Sequence, residues 1–140
     1  MMPILQNVRG DTGNCLAACV ASILHLPLEQ MPDHYLNEHG DVAERWLDVW
    51  CDFLAPFGLS MVWYDYDHGR VPRGYAIAAL KIKDQEQTHA VVCYNGDIVF
   101  DPVAGHDVEQ TKEWSEGVDH WYVITQLDAS AITAAISTDQ

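Results

Sequence analysis

At 140 residues, 49% of them hydrophobic and five of them tryptophan, the chain has the size and apolar mass of one domain with one core. Its 21 acidic residues against 7 basic ones leave a net charge of −14. That argues against nucleic acid as a partner, because phosphates would be repelled, and it favours basic proteins or cationic substrates. No run of about 18 apolar residues spans a membrane. The N-terminus has no charged stretch followed by an apolar one, so a secretory signal is not expected and a cytoplasmic location is the default. Cys15, Cys19, Cys51 and Cys93 fall in apolar, regular stretches rather than in a small loop-rich scaffold, so free thiols are expected.

Residues 1–10 read as a lead-in whose notable polar group is Gln6. Asp11-Thr12-Gly13-Asn14 is then a turn with three good helix-capping types and a glycine that lets the chain bend. It opens into a helix over about Asn14–His25, with Leu16, Cys19, Val20 and Ile23 at helical spacing and alanines between them. Pro27 ends it, and Leu28–Tyr35 forms a connection with room for one helical turn. A second helix places Val42, Trp46, Val49, Trp50, Phe53 and Phe57 on one face, capped by Asp41 and closed by Pro56 and Gly58. After Gly58 the period changes to that of strands. These are expected over 59–64, 75–83, 88–94, 97–101 and 120–125, with loops over 65–74 and 103–119. The residues from Asp128 onward read as a marginal helix or a frayed tail following a single domain over 1–127. The layout is α+β, helices first and then an antiparallel meander packed on the first helix.

Cys15 sits in the first turn of that helix, where unpaired N–H groups and the positive end of the helix dipole favour the thiolate. A nucleophilic thiol needs a base, and the base needs an orienting group. Of the seven histidines, His25, His34, His39, His68 and His106 fall near helix ends or in loops; His89 instead opens an otherwise apolar strand. The turn at Asn95-Gly96 decides what faces it. A two-residue turn with regular pairing sets Ala90 opposite Asp101 and puts His89 and Asp101 on opposite faces. A three-residue turn bulged at Gly96 sets His89 directly opposite Asp101. A triad of Cys15, His89 and Asp101 therefore requires the bulged turn, and the tight one counts against it. The Cys15 N–H and the amide of Gln6 are candidate oxyanion donors, with Asn7 or Asn14 as substitutes for Gln6.

Gly13-Asn14-Cys15, Ala17-Ala18-Cys19-Val20-Ala21-Ser22, Leu26-Pro27-Leu28-Glu29, Thr88-His89-Ala90-Val91-Val92 and Asp101-Pro102, in that order, resemble the papain-like cysteine peptidase superfamily. The nearest likeness is to its small bacterial and phage branches, close to the bacteriocin leader-processing peptidases. The resemblance implies a central helix on a small antiparallel sheet and a cysteine hydrolase acting on a peptide, isopeptide or related amide. It assigns Cys15 as nucleophile, His89 as proton shuttle, Asp101 as orienting group and Gln6 as oxyanion donor. It implies no cofactor, and a peptide or protein as the substrate.

A metal site built on Cys15 and Cys19 is disfavoured, because the pair lies inside an apolar helix with no second close pair downstream. Redox chemistry is disfavoured too, since the usual pair is separated by two residues. The rival to catalysis is an acidic binding module or DNA mimic on the same scaffold, which the charge of −14 would suit.

Overall fold

A computed structural model describes residues 1–6, 14–32, 45–65 and 70–127. The elements in chain order begin with α1 (Cys15–Leu24), a 3₁₀ turn (Leu28–Gln30), α2 (Trp46–Leu54) and a second 3₁₀ turn (Ala55–Phe57). There follow β1 (Leu59–Asp65), β2 (Tyr75–Ile82), β3 (Thr88–Tyr94), β4 (Asp97–Phe100), α3 (Val108–Trp114) and β5 (Ser115–Gln126). The expected capping turn at 11–13, the start of the second helix at Asp41 and Val42, and the tail from Asp128 lie outside the described residues.

The architecture is α+β, with all strand pairs antiparallel in one sheet of order β1-β5-β2-β3-β4. It is not the simple meander the chain order suggests, because β5 inserts between β1 and β2. The reason lies in side-chain polarity. Trp121 and Tyr122 of β5 point to opposite faces and are both buried, so this strand needs neighbours on either side. β1 leaves Val62 and Trp63 exposed, and β4 alternates between exposed and half-buried positions, as edge strands do.

One face of the sheet carries α1 and α2. The ladder of α1 begins with Ala18 N–H donating to the Asn14 carbonyl at 3.0 Å, and the helix ends at His25 in the left-handed region (φ 58°). Leu16 to Ser22 are all buried. Ala17 and Ala21 share a core cluster with Ala79 of β2 and Ala90 of β3, so small residues on both sides bring α1 close to the sheet. α2 lies over β1, with Trp50 and Leu54 fully buried and Trp46 edge-on to Tyr122 at 5.5 Å. Phe57, expected on the buried stripe, is half exposed. The chain tightens into a 3₁₀ turn after Leu54, which breaks the 3.6-residue period, and the Phe57 ring lies against Phe53 with centres 5.6 Å apart. On the opposite face, Ala76, Ala78, Leu80, Val91, Cys93 and Trp121 form a second buried cluster.

The N-terminal lead-in straps these parts together. Met2 N–H donates to the Ser22 carbonyl and Ile4 N–H to the Ser22 hydroxyl, both at 2.9 Å. Gln6 N–H then donates to the Pro102 carbonyl at 2.9 Å, tying α1 to the chain just beyond β4.

The stretch expected as a loop over 103–119 instead holds α3 and the first part of β5. Asp107 caps α3: its carboxylate accepts from Gln110 N–H at 2.8 Å, and the Gln110 side chain accepts from Asp107 N–H at 3.3 Å. β5 runs twelve residues because bulges against β2 absorb Glu116 and Asp119.

The β3–β4 hairpin turns through Asn95 (φ 51°) and Gly96 (φ 88°), both left-handed. A Cβ on Gly96 would strike the side chain of Val71. Gly96→Ala is therefore expected to destabilise the protein by about 1–3 kcal/mol, read as a lower urea midpoint with an unchanged slope.

Candidate active site

The hairpin settles the register in a way neither expected turn described. Tyr94 pairs with Asp97 and Cys93 with Ile98, so the turn is the tight two-residue form. Pairing then jumps to Val92 with Phe100, leaving Val99 as a bulge in β4. The extra residue restores the parity that a regular tight hairpin would have lost. Continued by one residue, the register sets Asp101 beside Val91, on the same side of the sheet as His89 and diagonal to it.

The imidazole and carboxylate meet there: His89 Nε2 lies 2.8 Å from Asp101 Oδ1. Because an ionised carboxylate only accepts, Nε2 carries the proton and Nδ1 is left for another partner. That partner is Cys15. α1 packs on β3 and β2, which brings its first residue to the end of the sheet where His89 begins β3, and the ring is hydrogen-bonded to the Cys15 side chain as well as to Asp101. The three residues expected to form a triad are thus brought together from a helix start and two adjacent strands.

Burial opposes charge on the His89 ring. The hydrogen bonds to Asp101 and Cys15, and the negative charge of both, outweigh it and raise its pKa from 6.5 to about 9. Asp101 shows the mirror effect: burial would raise it, yet hydrogen bonds from His89 and Thr111, the charge of His89 and the Val103 N–H hold it down at about 2. Its side chain is only 1% exposed and is fully occupied. Oδ1 also accepts from Val103 N–H at 2.9 Å. Oδ2 accepts from the Thr111 hydroxyl at 2.6 Å and faces His106 Nδ1 at 3.4 Å. His106 in turn lies edge-on to Trp114, with ring centres 5.0 Å apart.

Thr111 and His106 are the site residues that reading the sequence missed. Thr111 is hidden because α3 lies in a stretch whose sequence reads as loop. The signal that could have exposed the helix is the capping pair Asp107 and Gln110. Gln6 is brought near by its main chain, next to Pro102, and its side-chain oxygen is buried. Asn14 stands at the N-cap of α1 without a side-chain cap bond, and Asn7 lies outside the described residues.

All four cysteines are free, as expected. Their environments differ. Burial pushes the Cys19 thiol well up, and negative charge at Cys15, Asp101 and Cys93 adds to the effect. Burial, then Asp97, pushes Cys93 up to about 12. Cys51 contacts the Ser60 hydroxyl at 3.7 Å and the Met61 carbonyl at 3.5 Å. Cys15 alone sits at a helix start with a histidine bonded to it. No acidic residue occupies the first turn of α1 to neutralise its positive end.

Two further polar groups lie nearby. Asp119 and Tyr122 flank the His120 ring at 2.7 and 2.8 Å, and burial, followed by charge at Cys15 and Asp119, pushes the Tyr122 phenol up, so it stays neutral. A cleft of about 380 Å³ at the β2–β3 turn is lined by Lys81, Glu86, Thr88, Glu116 and Asp119, among others, and begins one residue from His89. Among the described residues, the donor atoms of His89, Asp101 and His106 lie within 4.8 Å of one another, close enough to consider for a metal ion. The distances are those of hydrogen bonds, and both carboxylate oxygens already accept a protein donor, so we read the group as a proton-linked set.

No protein-family model, curated protein or solved structure matches the chain.

The paired pKa values define a stability window. Asp101, held below its ordinary 3.8, contributes stability that is present above that value and lost as the pH falls through about 2. At 1.36 kcal/mol per unit this is about 2 kcal/mol. His89, held above 6.5, contributes stability that is full below 6.5 and lost as the pH rises through about 9. Urea midpoints measured across pH should accordingly lose their acid slope in Asp101→Asn and their slope between 6.5 and 9 in His89→Gln.

Inserting one alanine between Phe100 and Asp101 should move Asp101 one place along the ladder, opposite Ala90 and on the opposite side from His89. The His89 ring, followed by NMR, is expected to titrate well below the value of about 9 it has in the intact chain. An unchanged titration would show that the register of β4 does not set the contact.

Proposed function

We propose that this chain is a cysteine hydrolase cleaving a peptide, isopeptide or related amide bond, on a core of the papain-like kind. The observation that carries the reading is the His89 imidazole held between a buried, ionised carboxylate and a thiol at a helix start. A structural thiol has no need of such a pair.

The chemistry follows from the hydrogen bonds. Asp101 holds the His89 Nε2 proton, which leaves Nδ1 to take the proton of Cys15 and stabilises the imidazolium that forms. The thiolate attacks the substrate carbonyl carbon. The resulting oxyanion is met by the Cys15 N–H, one of the helix-start groups outside the α1 ladder, and Gln6 is the side chain proposed to assist. His89 then delivers its Nδ1 proton to the leaving amine as the C–N bond breaks. A water molecule, deprotonated by the same nitrogen, releases the acid from the thioester. No step calls on a cofactor. The charge of −14, with Glu86, Glu116 and Asp119 lining the cleft beside Thr88, supports a basic substrate.

The first test is alkylation of Cys15 by iodoacetamide at pH 6, with Cys15→Ser as the blank. The wild-type rate is expected to exceed that of His89→Ala by roughly tenfold or more. In a subsequent peptide-library screen, Cys15→Ala should abolish turnover with its melting curve intact, and Asp101→Asn should lower it by roughly 10²–10⁴. Equal alkylation rates in wild type and His89→Ala would mark Cys15 as a quiet thiol and turn attention to an acidic module that binds a basic partner.

A further inference from the structure

Asp101 must present one particular lone pair to His89, and its orientation has to be held. Backbone turns alone would not hold it: the carboxylate stands at the end of β4, where the ladder stops, and a side chain can rotate about its Cα–Cβ bond. Two groups oppose that rotation. Val103 N–H grips Oδ1 from two residues on, and the Thr111 hydroxyl grips Oδ2 from α3.

The Thr111 contact is a built one. The residue is 1% exposed, and its hydroxyl lies 2.6 Å from Oδ2. The hydroxyl also stands 3.0 Å from the Asp107 carbonyl, but it has one proton to give. The charged, shorter acceptor takes it, since hydrogen bonds to ionised groups are roughly twice as strong as neutral ones. The capping pair of Asp107 and Gln110 fixes the first turn of α3, and Thr111 follows directly. His106 faces the same oxygen at the longer distance of 3.4 Å, too far to orient it alone.

We propose that Thr111 is a positioning residue for the Cys15–His89–Asp101 centre: its hydroxyl holds the Asp101 carboxylate rotated so that Oδ1 meets His89 Nε2. The inference rests on the hydrolase reading above. It makes α3 part of the site's machinery rather than a connection between β4 and β5.

The experiment separates the hydroxyl from the packing. Thr111→Val keeps the shape and loses the bond; Thr111→Ser keeps the bond and loses a methyl group. Iodoacetamide alkylation of Cys15 is measured from pH 5 to 7.5 in wild type, both variants and His89→Ala, with thermal melts alongside. In Thr111→Val the carboxylate is expected to accept a proton more readily and to hold the imidazolium less well. The ratio of the rate at pH 5 to that at pH 7.5 should then fall roughly tenfold, while Thr111→Ser keeps the wild-type ratio even if it melts earlier. If the valine variant does not fold, Thr111→Ala against Thr111→Ser makes the same comparison. A folded Thr111→Val with the wild-type pH profile overturns the proposal. So does a serine variant that loses the profile as fully as valine, because packing rather than the hydroxyl would then be responsible. A wild-type rate indistinguishable from His89→Ala would instead remove the hydrolase reading on which the proposal stands.

Discussion

A carboxylate buried in protein is expensive unless its lone pairs are filled, and Asp101 is filled from every direction. Its donors come from β3, from the turn after β4 and from α3, three parts of the chain that must be folded before the charge is tolerable. The competition is resolved in favour of ionisation, since the hydrogen bonds and the His89 charge more than offset burial. An ionised acceptor then dictates the His89 tautomer, and the tautomer dictates which ring nitrogen is offered to Cys15. The chemistry of the site thus descends from the satisfaction of one buried group.

Two packing decisions deliver the remaining pieces. The bulge at Val99 supplies the single residue of offset that puts Asp101 on the His89 side of the sheet. The alanines of α1, β2 and β3 let the helix approach the sheet, so that its first residue reaches the strand end where His89 stands. The lead-in adds a third restraint, bonding to Ser22 of α1 at one end and to Pro102 beside Asp101 at the other. Helix, hairpin and lead-in therefore converge at one end of the molecule, and a change in any of them alters the same few distances.

The thiols show why position outranks residue type. Cys19 lies one turn along the same helix from Cys15 and is fully enclosed, so burial and neighbouring negative charge keep it protonated. Cys93 is kept protonated by the same means on the other side of the sheet. Of the four thiols, only the one at the start of α1 has an imidazole as partner.

Much of this was written in local pattern. The helical spacing of Leu16, Cys19 and Val20, the change of period after Gly58, the Asn95-Gly96 turn and an α+β arrangement are short-range signals, and local physics carries them into the structure. The pairing of Cys15, His89 and Asp101 could be posed from the sequence, but only as dependent on register. What the chain could not state alone was non-local. The insertion of β5 between β1 and β2 depends on which strand gains most from two neighbours. The bulge at Val99 rather than in the turn depends on how β4 fits β3 as a whole. The grip of Thr111 on Asp101 depends on a seven-residue helix too short to announce itself by period. The sequence by itself determined the Cys, His and Asp with the right chemistry and most of the helix and strand segments, α3 and the first part of β5 excepted, because those follow from contacts a few residues apart. Tertiary structure alone decided which of them meet, because register, strand order and the filling of a buried charge are settled between segments that are distant in the chain.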